Sequence, residues 1–589
     1  MKRAFLMIFL TLMVLLGCDR TVSDEGGSPE PQEPLGEVVV SEISTLNTHS
    51  HELNSHASDL DRSNIEMNYR TYVEIEANIL GADQVTYPRI KRLPNDHYIL
   101  FYQDGHIGWN IYYSLSNDGK VWSRGKKLFS SCRVENNTDD RCFATCDALL
   151  LENGDLLAVS SFRTNLGFYT NPAGNGIMMR RSRDNGRSWS EEQIIYQGSN
   201  WEPYLLQLPS GKLQLYFTDA DTRTWSSGTS LLESQDNGAS WTPGLGNPPY
   251  KIIRQITKYE ADEPVYTDQM PCAILLNDGK TLAAVLESCL ADGSYWITMA
   301  YAENDWEHLT GNDVGPADRM SNLFVGAGGY LIQFPSGETA LSYNDSESLL
   351  NIKLGDSAAR NFRESYRPFP GFGYWGTMEV SGTHSLMASM HASGSQNRIM
   401  VGECVLNHRV AAPEGSVFVD GDNSEWKEVD QALFIGSESP VQGTFRFMHD
   451  RENVYVCVDV LDENVSVSDC LIVSMCRMTS SEDIPEQALR VRFNHRDIQA
   501  VSRFSAGEWV DTESDLLKSA GRMTDAWTTM PEQGGCVLEL SVPKSLLGMS
   551  EQDEELLFHA LLSDSRYGTD TFSNTSQQDP GTWIPVLLE

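Results

Sequence analysis

The stretch Trp201-Glu202-Pro203-Tyr204-Leu205-Leu206-Gln207-Leu208-Pro209-Ser210-Gly211-Lys212-Leu213-Gln214-Leu215-Tyr216-Phe217-Thr218-Asp219 decides the fold. Two mostly apolar runs flank a Pro-Ser-Gly corner, the pattern of a β-hairpin. Runs of the same design span residues 87–104, 145–162, 270–287 and 328–345, with a weaker one at 374–391, making about six hairpins of one kind.

A second repeat punctuates the first. Ser182-Arg183-Asp184-Asn185-Gly186-Arg187-Ser188-Trp189 and Ser234-Gln235-Asp236-Asn237-Gly238-Ala239-Ser240-Trp241 share S-x-D-N-G-x-S-W, and Asn117-Asp118-Gly119-Lys120-Val121-Trp122 is a worn copy. The pattern suits a turn: the Asp accepts from nearby N–H groups, Gly supplies positive φ, and Trp is expected to pack the turn on its own sheet. It resembles the Asp-box of sialidase-like β-propellers. The resemblance implies an all-β chain, a six-bladed β-propeller over residues 70–408. It says little about chemistry, because Asp-boxes lie away from the active face.

The remaining chain divides around that ring. Met1-Lys2-Arg3, the apolar run Ala4–Leu16 and Leu15-Leu16-Gly17-Cys18 resemble a bacterial lipoprotein signal, with Cys18 the lipidated residue. Residues 19–69 read as a tether, poor in large apolar side chains. Residues 72–79 alternate, and are expected to close the ring against the last blade. Ala411-Ala412-Pro413-Glu414-Gly415 reads as a linker, and the alternating runs of residues 413–589 as a β-sandwich. These runs resemble the family 9 carbohydrate-binding module, which implies a sugar-stacking platform with Trp509, Trp527 and Trp583 as candidates. A core or interface role is the alternative for each, and Trp426 is read as core.

The net charge of -38 sets nucleic acid and anionic lipid aside as partners, leaving the acyl anchor as the membrane contact. Ten cysteines follow Cys18. Cys132 with Cys142 or Cys146 is the nearest plausible disulfide; with no C-x-x-C pair and no well-spaced His, neither a metal nor a cofactor is expected.

The repeats also serve as a ruler. In a blade the first strand runs down beside the axis and the second returns, so the start of one and the end of the other share a face. Glu202 lies nine residues before Gly211 and Asp219 eight after it. The same offsets select Tyr87 with Asp104, Thr145 with Phe162, Met270 with Glu287 and Gly328 with Asp345, and, around the turn Ser381-Gly382-Thr383, roughly Tyr374 with His391. Carboxylates and aromatic rings at a propeller mouth suit a neutral sugar, whose hydroxyls donate to carboxylates and whose apolar face stacks on rings. Glu202, in the apolar company of Trp201 and Pro203, is the candidate acid/base, and Glu287, ending an apolar strand, the candidate nucleophile. Tyr87, Arg89, Asp104, Asp219, Asp345, Tyr374 and His391 are candidate substrate contacts.

Tyr87-Pro88-Arg89-Ile90, the Trp201-Glu202-Pro203 hairpin and Gln269-Met270-Pro271 leading to Val285-Leu286-Glu287 resemble glycoside hydrolase family 93. That resemblance covers about residues 70–408. It implies a retaining exo-α-1,5-L-arabinanase that releases arabinobiose, with Glu202 as acid/base and Glu287 as nucleophile. Two alternatives remain: an exo-α-sialidase, for which Arg89 is the first arginine of a carboxylate-clamping triad, and a propeller that binds glycans without cleaving them.

Overall fold

In the computed structural model, residues 72–589 are described apart from short stretches, the longer being 135–138, 221–227, 311–317, 393–396, 437–440, 479–482 and 525–533. The backbone of 39–40 and 64–67 is described as well. Cys18, most of the tether and Trp527 lie outside the described residues.

Six antiparallel sheets form the blades of the propeller. Their innermost strands are Val85–Leu93, Asp139–Leu150, Asn200–Gln207, Asp268–Leu275, Ala327–Gln333 and Gly373–Val380, for blades I to VI in chain order. Each pairs with the next strand of its blade through a tight hairpin, as in Leu205 opposite Leu215 and Ala273 opposite Ala284. Apolar side chains alternate into the layers between blades, so Leu215, Phe217, Val285 and Leu341 are fully enclosed.

The ring is closed by the N-terminal strand. Val73–Glu76 pairs with Arg398–Val401 of blade VI, as the alternation of residues 72–79 predicts. Asn64–Met67 pairs further along the same strand, with Cys404–Asn407. Closure satisfies edge groups that an open ring would leave bare.

The Asp-box turns link the third and fourth strands of their blades, on the floor side opposite the mouth. In two of them the serine hydroxyl donates to the aspartate and accepts the glycine N–H: Ser182 Oγ to Asp184 Oδ1 is 2.8 Å and Gly186 N to Ser182 Oγ 2.8 Å, repeated at Ser234, Asp236 and Gly238. The tryptophan goes elsewhere than expected. Trp189 packs on Phe101 and Tyr113 of the preceding blade, at ring distances of 6.0 and 5.8 Å, so the turn fastens two blades together.

Beyond the ring, sheets of five and eight strands face one another around Phe445, Phe447, Val456, Val473 and Phe558. The expected linker is partly a strand: Val410–Ala412 pairs in parallel with Ile584–Leu588 and is buried. All ten described cysteines are free thiols, so the disulfide expected of Cys132 is not formed.

Candidate active site

One residue in each innermost strand stands in left-handed backbone: Tyr87 (φ 55°), Thr145 (50°), Glu202 (56°), Met270 (54°), Gly328 (65°) and Trp375 (50°). Each lies in a β-bulge, where the pairing register slips between the first and second strands. The bulge re-aims the side chain toward the axis, and six of them make one ring at the mouth. A second ring lies below, two residues along each strand, at Arg89, Asp147, Tyr204, Cys272, Tyr330 and Thr377, all buried. Lys91 ties that floor together, with Nζ 3.2 Å from Asp147 Oδ1 and 2.9 Å from the Tyr330 hydroxyl. The axis is thus a funnel with a closed bottom.

The returning strands contribute Gln103, Ser161, Thr218, Glu287, Asn344 and His391, each opposite the residue that precedes a bulge. Several accept the bulge N–H of the next blade: Gln103 from Thr145 at 2.8 Å, Thr218 from Met270 at 2.8 Å, Glu287 from Gly328 at 2.7 Å and Asn344 from Trp375 at 3.0 Å. These bonds hold the inner strands in the strained conformation that forms the mouth.

Glu202 and Glu287 are brought together here. Thr218 Oγ1 donates to Glu202 Oε2 at 2.7 Å. Burial first, and the nearby Glu287 charge second, push the Glu202 carboxyl up to about 8, against the Thr218 hydrogen bond and the Arg89 charge. Glu287 receives Gln269 Nε2–H at Oε1 (2.8 Å) and the Gly328 N–H at Oε2 (2.7 Å). Burial raises Glu287 too, but both of those bonds favour its charged form. One carboxyl is therefore held protonated near neutral pH beside another given two donors. Opposite them stand rings: Trp375 lies 5.8 Å from Tyr87, 5.1 Å from His106 and 5.7 Å from His391, which is itself 6.0 Å from Tyr374. The funnel has an acidic wall and an aromatic wall.

Other expected contacts fall differently. Asp104, Asp219 and Asp345 each lie one residue past the inward position, and successive strand side chains point to opposite faces. Asp345 caps its own turn, accepting from Glu347 N and Leu349 N. Asp219 accepts the Ser230 hydroxyl of its own blade at 3.4 Å. Arg89 is turned into the floor, donating to Pro88 O and Trp375 O with its guanidinium 3.9 Å from the Tyr87 ring centre. It is the one arginine of the two rings, so an arginine triad is not assembled there. Thr218, Gln269 and Trp375 were absent from the expected contacts, although correct register along the repeats reaches all three.

The rim supports the same face. Of the exposed large apolar side chains described in the propeller, Ile107, Leu166, Tyr169, Ile256, Tyr259, Val325 and Phe372 sit on mouth-side connections, and Leu245 alone on the floor side. Apolar exposure concentrated on one face marks a contact surface.

In the sandwich, Trp583 is fully buried, with its indole N–H donated to Ser576 O at 2.9 Å, and cannot be a stacking platform. Trp509 is half-buried under Arg490, whose guanidinium lies 3.9 Å from its ring centre. Trp426 is core, as expected, donating to Glu539 at 2.8 Å.

Residues 82–287 match the family model of the BNR repeat-like domain. No curated protein matches the chain. Among solved structures the chain is similar to an α-L-arabinanase of Penicillium chrysogenum complexed with arabinobiose, with 18% identity over 54% of this chain and 93% of that one (TM-score 0.39). It is also similar to the GH93 α-L-arabinofuranosidase of Fusarium graminearum, with 18% identity over 54% and 92% (TM-score 0.40). A third is the intramolecular trans-sialidase of Ruminococcus gnavus, with 11% identity over 57% and 96% (TM-score 0.42).

Proposed function

We propose that the protein is an exo-acting, retaining glycoside hydrolase of a neutral polysaccharide, with α-1,5-L-arabinan as its substrate. The observation that carries the reading is the unequal pair at the mouth: Glu202 held protonated, and Glu287 given two hydrogen-bond donors. In this mechanism the Glu287 carboxylate attacks the anomeric carbon while Glu202 gives its proton to the departing glycosidic oxygen. Water then attacks the glycosyl-enzyme bond, Glu202 takes the water's proton, and Glu287 is released. The aromatic wall around Trp375 suits the apolar face of a sugar, and a closed-bottom funnel suits a chain end rather than a chain middle.

The sandwich, on the same reading, is a carbohydrate-binding module that holds polysaccharide, and acyl chains on Cys18 hold the protein to the bacterial cell envelope. Incorporation of labelled palmitate, lost in Cys18→Ala, tests the anchor.

Product analysis tests the activity. Purified protein is incubated with linear 1,5-arabinan and with sialyl-lactose, beside Glu202→Gln and Glu287→Gln. Arabinobiose from the wild type, lost in both variants, is expected. Free sialic acid would overturn the neutral-sugar reading, and binding to arabinan without product would make the propeller a glycan receptor.

A further inference from the structure

The Thr218 hydroxyl has two neighbours and one hydrogen. Its oxygen accepts the Met270 N–H at 2.8 Å, and an amide can only donate. Its hydrogen is therefore left for Glu202 Oε2, at 2.7 Å. Thr218 is buried, with no competing water-exposed orientation for that hydrogen.

We propose that Thr218 is a positioning residue that decides which oxygen of Glu202 carries the transferable proton. An oxygen that accepts from Thr218 is poorly placed to hold a proton of its own, since the two hydrogens would meet in the same short contact. A proton on Oε2 would require the hydroxyl hydrogen to turn away, and a buried O–H without an acceptor is costly. The proton is thereby assigned to Oε1, while Glu202 keeps partial solvent contact on the funnel side. When the glycosidic bond breaks, that proton passes from Oε1 to the leaving oxygen, and the charge left on the carboxylate is met at Oε2 by the hydroxyl already in place. The same hydroxyl spans blades III and IV, so the donor that sets the acid also pins the bulge of the adjoining strand.

The other groups facing Glu202 do not duplicate this. Glu287 and the phenols of Tyr87 and Tyr295 act on it or it on them through charge, as does Arg89 from the floor. The Met270 amide also favours the charged form, but it is a fixed donor that cannot reverse.

The inference rests on Glu202 as acid/base, and its test is separable from the choice of substrate. Difference infrared titration of the full chain follows the carboxyl band that disappears in Glu202→Gln, with no sugar present. Thr218→Val is expected to raise the titration midpoint by about one unit, because a hydrogen bond to the charged form is lost, and Thr218→Ser to restore it. Where the valine variant does not fold, Thr218→Cys keeps an acceptor for the Met270 N–H with only a weak S–H donor, and an upward shift is again expected. On arabinan, kcat of Thr218→Val is expected to fall about tenfold with KM unchanged, its alkaline limb moving up with the titration. An unmoved midpoint, or a serine variant as impaired as the valine one, overturns the assignment. A wild type silent on arabinan but showing the titration shift overturns the substrate and keeps the proton assignment. Arabinobiose release that needs Glu202, with an unmoved midpoint, does the reverse.

Discussion

Gly328 donates its backbone N–H to Glu287 Oε2 at 2.7 Å from the one bulge of the ring that carries no side chain. A methyl group there would stand 3.3 Å from Trp375 Cδ1 and 3.5 Å from Asn344 Oδ1, in backbone with φ +65°. Gly328→Ala is expected to cost about 1 kcal/mol of stability from the backbone alone. The larger effect is expected in kcat, about tenfold, as the N–H is pulled off the carboxylate. Steady-state kinetics beside a melting curve separate the two, and a loss of stability with kcat intact would count against the N–H as a support of Glu287.

Removal of the second donor is expected to act in the same direction. Gln269→Ala leaves Glu287 Oε1 without its partner, so the nucleophile's pKa rises and the acid limb of the pH–rate profile moves upward. Gln269→Glu is expected to be worse than Gln269→Ala, since it sets a like charge against Glu287.

Stability should depend on pH through Glu202. Its folded value of about 8 lies above the ordinary 4.5, so between those values the native protein binds the extra proton and stability falls as pH rises. Glu202→Gln removes that penalty. The variant is expected to match the wild type near pH 4.5 and exceed it by about 2–4 kcal/mol at pH 9, allowing for partial solvent contact. Denaturant titrations at the two pH values read the difference.

The Asp-boxes should matter to stability and not to turnover. Asp236 accepts the Ser240 hydroxyl at 2.6 Å, the Ser240 N–H at 2.9 Å and the Ser234 hydroxyl at 2.8 Å, on the floor side of blade III. Asp236→Ala is expected to lower stability by about 1 kcal/mol with kcat unchanged. Those bonds hold its carboxyl down at about 2, so their contribution is present above the ordinary carboxylate range and is lost as pH falls through 2.

Counting along the repeats found most of the mouth, and its overshoots on the returning strands have one cause. Offsets from the turn glycine reached five of the six bulges, including Glu202, Met270 and Gly328. A bulge adds a residue to the first strand alone, so the count of eight after the turn glycine overshoots the inward partner by one. Hence Asp219 was reached where Thr218 faces the axis, and Asp104 and Asp345 where Gln103 and Asn344 do. Glu287 was reached correctly because its hairpin connects Leu275 to Leu282, one residue longer than the Gln207-to-Leu213 connection of blade III, and the extra residue cancels the bulge. Trp375 was missed by one position in a blade whose turn sits closer to the bulge. The burial of Trp583 was beyond any count, since it depends on the segment that folds over it from Ser576.

The strand that closes the ring also sets a direction for force. Val73–Glu76 runs from floor to mouth beside Arg398–Val401, and Asn64–Met67 lies beside Cys404–Asn407, beyond it on the floor side. Val39–Val40 pairs with the other edge of Val73–Glu76, Val39 opposite Glu74, so an earlier stretch of chain flanks the closing strand as well. Sliding Val73–Glu76 along Arg398–Val401 loads the hydrogen bonds between them in shear, all together, rather than peeling them singly.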